Sequence, residues 1–104
     1  MADQDLYSGF VRLHILHHAA REGVFGLGMI RELARHGYKI SPGTLYPLLH
    51  RLESKGYIVS DAQIVRGKTR RRYLATPRGC RALEKAKAKV RQLFEELFEE
   101  EKPE

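Results

Sequence analysis

Apolar residues recur at spacings of three and four over much of this chain, and the breaks in that rhythm mark where its elements begin and end. Leu6, Phe10, Leu13, Leu16 and Ala20 predict an amphipathic helix from Leu6 to Arg21, ended by Gly23 and Gly26. Leu27, Met29, Ile30, Leu33 and Ala34 predict a second, short helix, with Arg35 and His36 favourable at its carboxyl end and Gly37 as a left-handed cap. A third starts at Ser41-Pro42. The serine can cap free N–H groups, the proline loses no bond at a first helical position, and Ile40 can pack against Leu45. Leu45, Leu48, Leu49 and Leu52 form its inner stripe, and Lys55 and Gly56 close it. Pro47 forfeits the bond to the Gly43 carbonyl and should bend the first turns; the alternative is a tight turn over 41–43 with Thr44 as the cap.

The period then changes. Tyr57-Ile58-Val59 and Ile64-Val65 are aromatic or β-branched, and Arg70 to Ala75 follows a turn at Arg66-Gly67-Lys68, so the segment predicts a two-stranded hairpin that must lean on the helices for stability. Thr76-Pro77 repeats the cap-plus-proline start, and Leu83, Ala86, Val90, Leu93 and Leu97 follow as a coiled-coil-like seam. The expected fold is mainly α: a winged helix-turn-helix of three helices plus a two-stranded wing, with a long C-terminal dimerisation helix. Residues 1–76 would form the winged-helix, DNA-binding domain, and 77–104 the dimerisation helix and acidic tail.

Composition narrows the class. At 104 residues the chain can bury one modest core, and 42% hydrophobic with 31% charged residues is the make-up of a folded domain. Its net charge of +6 conceals a polarity: from Arg66 to Arg91 the sole acid is Glu84, whereas Glu95 to Glu104 holds six glutamates and a single cation, Lys102. A basic body of this kind attracts polyphosphate. There is no apolar run of membrane-spanning length, and Met1-Ala2-Asp3-Gln4-Asp5 lacks a signal peptide's hydrophobic segment, so a cytoplasmic protein with no membrane partner is expected. The single cysteine, Cys80, excludes a disulfide framework and is expected as a small, semi-buried residue.

Burying the leucines of the third helix turns Thr44, Tyr46, Pro47, His50 and Arg51 outward, with Ser41 and the Gly43 backbone at the amino end. Free N–H groups there suit a phosphate, Thr44 and Tyr46 can meet a base edge, and Arg51 suits guanine or phosphate. Arg66, Lys68, Arg70, Arg71 and Arg72 load the wing, and strand alternation sends Arg70 and Arg72 to one face. Arg78 and Arg81 at the amino end of the last helix, and glutamates at its carboxyl end, oppose the helix dipole; a bound polyanion would account for the arginines. The last helix would extend roughly 35 Å. Leu83, Val90, Leu93, Phe94, Leu97 and Phe98, with Phe10 of helix one, are the expected dimer contacts, setting two probes about one DNA turn apart.

Two blocks, Gly43-Thr44-Leu45-Tyr46-Pro47-Leu48-Leu49-His50-Arg51-Leu52-Glu53 with Gly56-Tyr57-Ile58, and Arg71-Arg72-Tyr73-Leu74-Ala75-Thr76-Pro77-Arg78-Gly79, resemble the PadR family of transcriptional regulators over roughly residues 10 to 95. The single C-terminal helix is similar to the family's short branch. Gly26-Leu27-Gly28-Met29 departs from the family's usual Gly-Tyr-Glu-Ile type of segment, and Ala75 replaces a larger aliphatic residue. The resemblance implies a homodimeric DNA-binding regulator, most often a repressor, that releases double-stranded DNA when an unidentified small-molecule effector binds.

His14, His17 and His18 stand at i, i+3 and i+4 and are weak candidates for a metal site, since no further ligand is evident; they could also make the dimer sensitive to pH. No cofactor motif and no nucleophile with an adjacent base is present, so no enzyme activity is expected. The competing readings are a small-molecule or metal sensor with secondary DNA binding, and a winged-helix module that binds protein.

Overall fold

A computed structural model describes residues 3–99; the expected acidic tail beyond Glu99 lies outside them. The chain forms α1 (Asp3–Arg21), β1 (Val24–Phe25), α2 (Gly26–Arg35), α3 (Pro42–Ser54), β2 (Ile58–Val65), β3 (Lys68–Ala75) and α4 (Pro77–Leu97). The sheet is antiparallel with order β1-β3-β2, so the wing is three-stranded at its base. The sequence pattern misses β1 because two residues carry no periodicity. Pairing Val24 with Tyr73 and Phe25 with Arg72 gives the hairpin the third strand it needs to be stable.

The hairpin is also longer than its β-branched residues suggest. Ser60, Asp61, Ala62 and Gln63 pair in register with Tyr73, Arg72, Arg71 and Arg70, leaving a two-residue turn at Arg66-Gly67. Both turn residues have positive φ, 53° and 79°, the conformation whose twist matches a tight hairpin.

One core joins α1, α2, α3 and the sheet, with Ile15, Met29, Leu33, Leu45, Leu49 and Ile58 fully enclosed. In α1 the core-facing residues are Val11, Ile15, Leu16 and Ala19, whereas Leu6 and Phe10 of the predicted stripe are exposed. The reason is that α1 is apolar on two opposite sides: Leu6, Phe10 and Leu13 follow one another at i, i+4 and i+7, on the side away from Ile15.

Helix ends follow local chemistry. After α2, Gly37 at φ 90° lets its own N–H reach the Ala34 carbonyl and the Tyr38 N–H reach that of Leu33. Thr76 caps α4 by accepting from the Gly79 N–H at 3.0 Å, and it donates to the Gly56 carbonyl at 2.6 Å, tying α4 to the end of α3. Ser41 behaves differently from expectation. Its side chain makes no capping bond and donates instead to the Thr44 hydroxyl at 3.4 Å, while its carbonyl accepts from the N–H groups of Thr44 and Leu45. The helix nevertheless starts at Pro42 and carries Pro47 inside it, rather than starting at Thr44. Cys80 is exposed, because Gly79 takes the buried place beside Tyr57 at the start of α4.

Candidate nucleic-acid interface

The leucine stripe of α3 faces the core, and Ser41, Gly43, Thr44, Tyr46, Pro47, His50 and Arg51 are all exposed on the other side. Tyr46 reaches sideways to α2. A Cβ at Gly26 would collide with the Tyr46 hydroxyl, so the missing side chain there is what lets α2 begin hard against α3.

Beyond Gly26 the start of α2 meets the wing. Phe25, Leu27, Gly28, Arg31, Val65, Arg66, Lys68 and Arg70 line one open cleft of about 520 Å³. Three of the five predicted wing cations are therefore brought together beside the α2–α3 unit. Arg31 joins them, although its sequence surroundings gave no signal: it lies mid-helix, and only the close approach of hairpin and α2 makes it part of the cluster.

Arg71 and Arg72 are used differently. The Arg71 guanidinium donates to the Ser60 hydroxyl at 2.9 and 3.2 Å, and that hydroxyl donates to the Glu53 carboxylate of α3 at 2.9 Å. Ser60 also gives its backbone N–H to Glu53 at 3.2 Å, so this chain of bonds holds the wing to α3. Arg72 shares a strand face with Arg70 as alternation predicts, but its stem packs where a Cβ on Gly23 would fall, and its terminal nitrogen lies 3.7 Å from Asp61. Among the described residues the buried Nε of Arg72 has no hydrogen-bond partner.

The histidines gather differently from the predicted trio. The Nε2 atoms of His18 and His36 approach the same Glu32 oxygen at 3.6 and 3.1 Å, and the His14 ring stacks on His36 at 4.8 Å between centroids. His17 is exposed and lines the cleft between α1 and α4. Among the described residues no three His, Cys, Asp or Glu side chains are arranged to hold a metal ion. The hydrogen bond from His36 holds the Glu32 carboxyl below its ordinary pKa, while burial, then the imidazoles of His36, His18 and His17, push His14 below its own.

The predicted dimer residues lie along α1 and α4. A cleft of about 550 Å³ between these helices is lined by Phe10, Leu13, His14, His17, Leu83, Val90 and Phe94, among others. Leu83 is only 9% exposed and belongs to the chain's own core, whereas Phe94 and Leu97 are 61% and 63% exposed, and Val90, Leu93 and Phe98 are exposed as well. No helix among the described residues is long and apolar enough to cross a membrane.

Residues 15–85 match the transcriptional regulator PadR-like family. The chain belongs to this family. It is 53% identical over 88 residues to a transcriptional regulator of Mycobacterium tuberculosis, an alignment covering 85% of this chain and 82% of the relative. Its fold is similar to the crystal structure of a PadR family regulator from Eggerthella lenta, with TM-score 0.79, 31% identity, and coverage of 96% of this chain and 88% of that one. A PadR-like regulator from Bacillus cereus superposes with TM-score 0.86 at 25% identity, covering 96% and 99% of the two chains. The protein is thus a PadR-like, non-enzymatic transcriptional regulator with a DNA-binding winged helix.

Proposed function

We propose that this regulator is a cytoplasmic homodimer that represses transcription by binding a two-fold operator. In this reading α3 enters the major groove, with Thr44, Tyr46 and His50 facing base edges, Arg51 at their margin facing a guanine or a phosphate, and Ser41 and the Gly43 backbone facing a phosphate. Arg66, Lys68 and Arg70 of the wing contact the flanking backbone or minor groove. Arg71, exposed beside its bonds to Ser60, and Arg72 also brace the wing and add to the same cationic contact face. Residues 1–76 carry the DNA-binding role and 77–104 the pairing role.

The observation that carries the reading is the continuity of one surface: the outer face of α3 runs through Tyr46 and Gly26 into the cationic cleft of α2 and the wing. Pairing is supported by the apolar residues that α4 leaves exposed beyond Leu83, together with Leu6 and Phe10 of α1. The α1–α4 cleft beside them is where a small apolar effector would bear on dimer geometry.

Selection of genomic fragments followed by footprinting tests the reading. The expected result is a protected palindrome with half-sites about one DNA turn apart. The three wing cations Arg66, Lys68 and Arg70 of each protomer alone, about six phosphate contacts per dimer, make log affinity fall against log salt with a slope of about −5 or steeper; a slope near zero on every duplex overturns the reading.

A further inference from the structure

Helix α3 is bordered on both sides by clefts with cationic walls. At 3.6 residues per turn, Thr44 and Arg51 lie close to one edge of its exposed face and Tyr46 roughly 150° away, at the other. On the Thr44 edge, Arg12 of α1, Lys39 of the turn before α3, and Arg51 line a cleft of about 460 Å³, with Asp5 the acidic residue in its wall. On the Tyr46 edge lies the second cleft, where Arg31 faces Arg66, Lys68 and Arg70 with no acid in the lining.

Among the described residues, none of these cations has a carboxylate within salt-bridge distance; the ion pairs that do form use Glu32, Asp61 and Glu84. Among the described residues Arg12 has only the Ser8 hydroxyl as a hydrogen-bond partner, at 3.4 Å. A Cβ at Gly28 would meet nothing within 4 Å, so the second cleft is open down to the α2 backbone.

We propose that these clefts hold the two sugar-phosphate strands that border the major groove, so that Arg12 and Lys39 on one side and Arg31 on the other are backbone-clamping residues. This rests on the reading that α3 enters the groove. A helix about 10–12 Å across fills a major groove about 12 Å wide, so the strands lie along its two edges, where the cations stand. Phosphate contact there sets affinity and orientation without sequence preference.

The test is fluorescence anisotropy of the full chain on its selected operator and on an unrelated duplex, over a salt series. Arg31→Ala is expected to weaken both duplexes alike, on the order of tenfold at about 0.1 M salt, and to flatten the slope by about 0.9 per protomer. The Arg12→Ala/Lys39→Ala pair should flatten it twice as much, and Arg31→Lys should keep the parent slope. Parent affinity and slope in Arg31→Ala and in the pair, with Arg70→Ala weakened, would overturn the clamp and leave the DNA-binding reading standing. A parent protein that binds no duplex would overturn both.

Discussion

Single residues in this protein are constrained by their immediate neighbours, and two glycines make the contrast measurable. A Cβ at Gly79 would run into the Tyr57 carbonyl oxygen, which accepts from the Thr76 N–H where α4 begins; at Gly28 the same Cβ would meet nothing within 4 Å. Gly79→Ala is therefore expected to destabilise by about 1–3 kcal/mol through overpacking, and Gly28→Ala to stabilise by about 0.5–1 kcal/mol through helix propensity. Urea unfolding of the two variants side by side checks the opposite signs. His14 gives a pH prediction. Its pKa is lowered in the folded protein, by burial first and by the neighbouring imidazoles next, so protonation favours the unfolded chain. The stability linked to keeping it neutral is present above the ordinary histidine range and is lost as pH falls through that range toward the depressed folded value. Urea midpoints at about pH 7.5 and about pH 5.5 should fall with pH in the parent and fall less in His14→Gln; an equal fall in both would remove His14 as the cause.

Among the elements, the wing turn sets stability against charge. Arg66 occupies the left-handed region at φ 53°, where a side chain with a Cβ is strained and asparagine is better tolerated. Arg66→Asn should raise unfolding stability by about 0.5–1 kcal/mol while weakening DNA binding, and thermal melts and anisotropy on the same preparation read both effects. This turn also marks how far the sequence could be read. Gly37, Gly56 and Thr76-Pro77 announce helix boundaries by chemistry confined to a few residues, so α2, α3 and α4 stand where the pattern puts them. β1 and the middle of β2 are set by pairing with β3, a contact about 50 residues away for Val24, and Ser60-Asp61-Ala62-Gln63 carries no strand pattern of its own. The candidate site divides in the same way. The outward face of α3 follows from its leucine stripe, but the sorting of the wing arginines into Arg70, which lines the cleft, Arg71, exposed but bonded to Ser60, and Arg72, packed over Gly23 beside Asp61, depends on partners brought close only by strand pairing and by the packing of α3 and β1 on the hairpin.

In the molecule as a whole, the separation between residues that fold the protomer and residues that would pair it is sharp enough to be tested without unfolding anything. Leu83 is enclosed by its own protomer, whereas Phe94 and Leu97, farther along α4, are more than half exposed. Each apolar side chain buried by a partner contributes about 1.5–3 kcal/mol, so replacing both Phe94 and Leu97 by glutamate should weaken self-association by on the order of a thousandfold or more, with charge repulsion across the two-fold adding to the loss. Sedimentation equilibrium at micromolar concentration should then give a dimer for the parent and a monomer for the double variant. The monomer should still unfold cooperatively, because neither residue is in the protomer core, and its melting temperature should lose the dependence on concentration that linkage to dimerisation gives the parent. Operator binding should fall much further than binding to a single half-site, since a dimeric parent would gain the high effective concentration of a second, tethered α3. Leu83→Glu is the control with the opposite logic: it should abolish the cooperative transition. A double variant that stays dimeric would place the pairing surface elsewhere than the exposed end of α4, and with it the spacing of the two recognition helices on DNA.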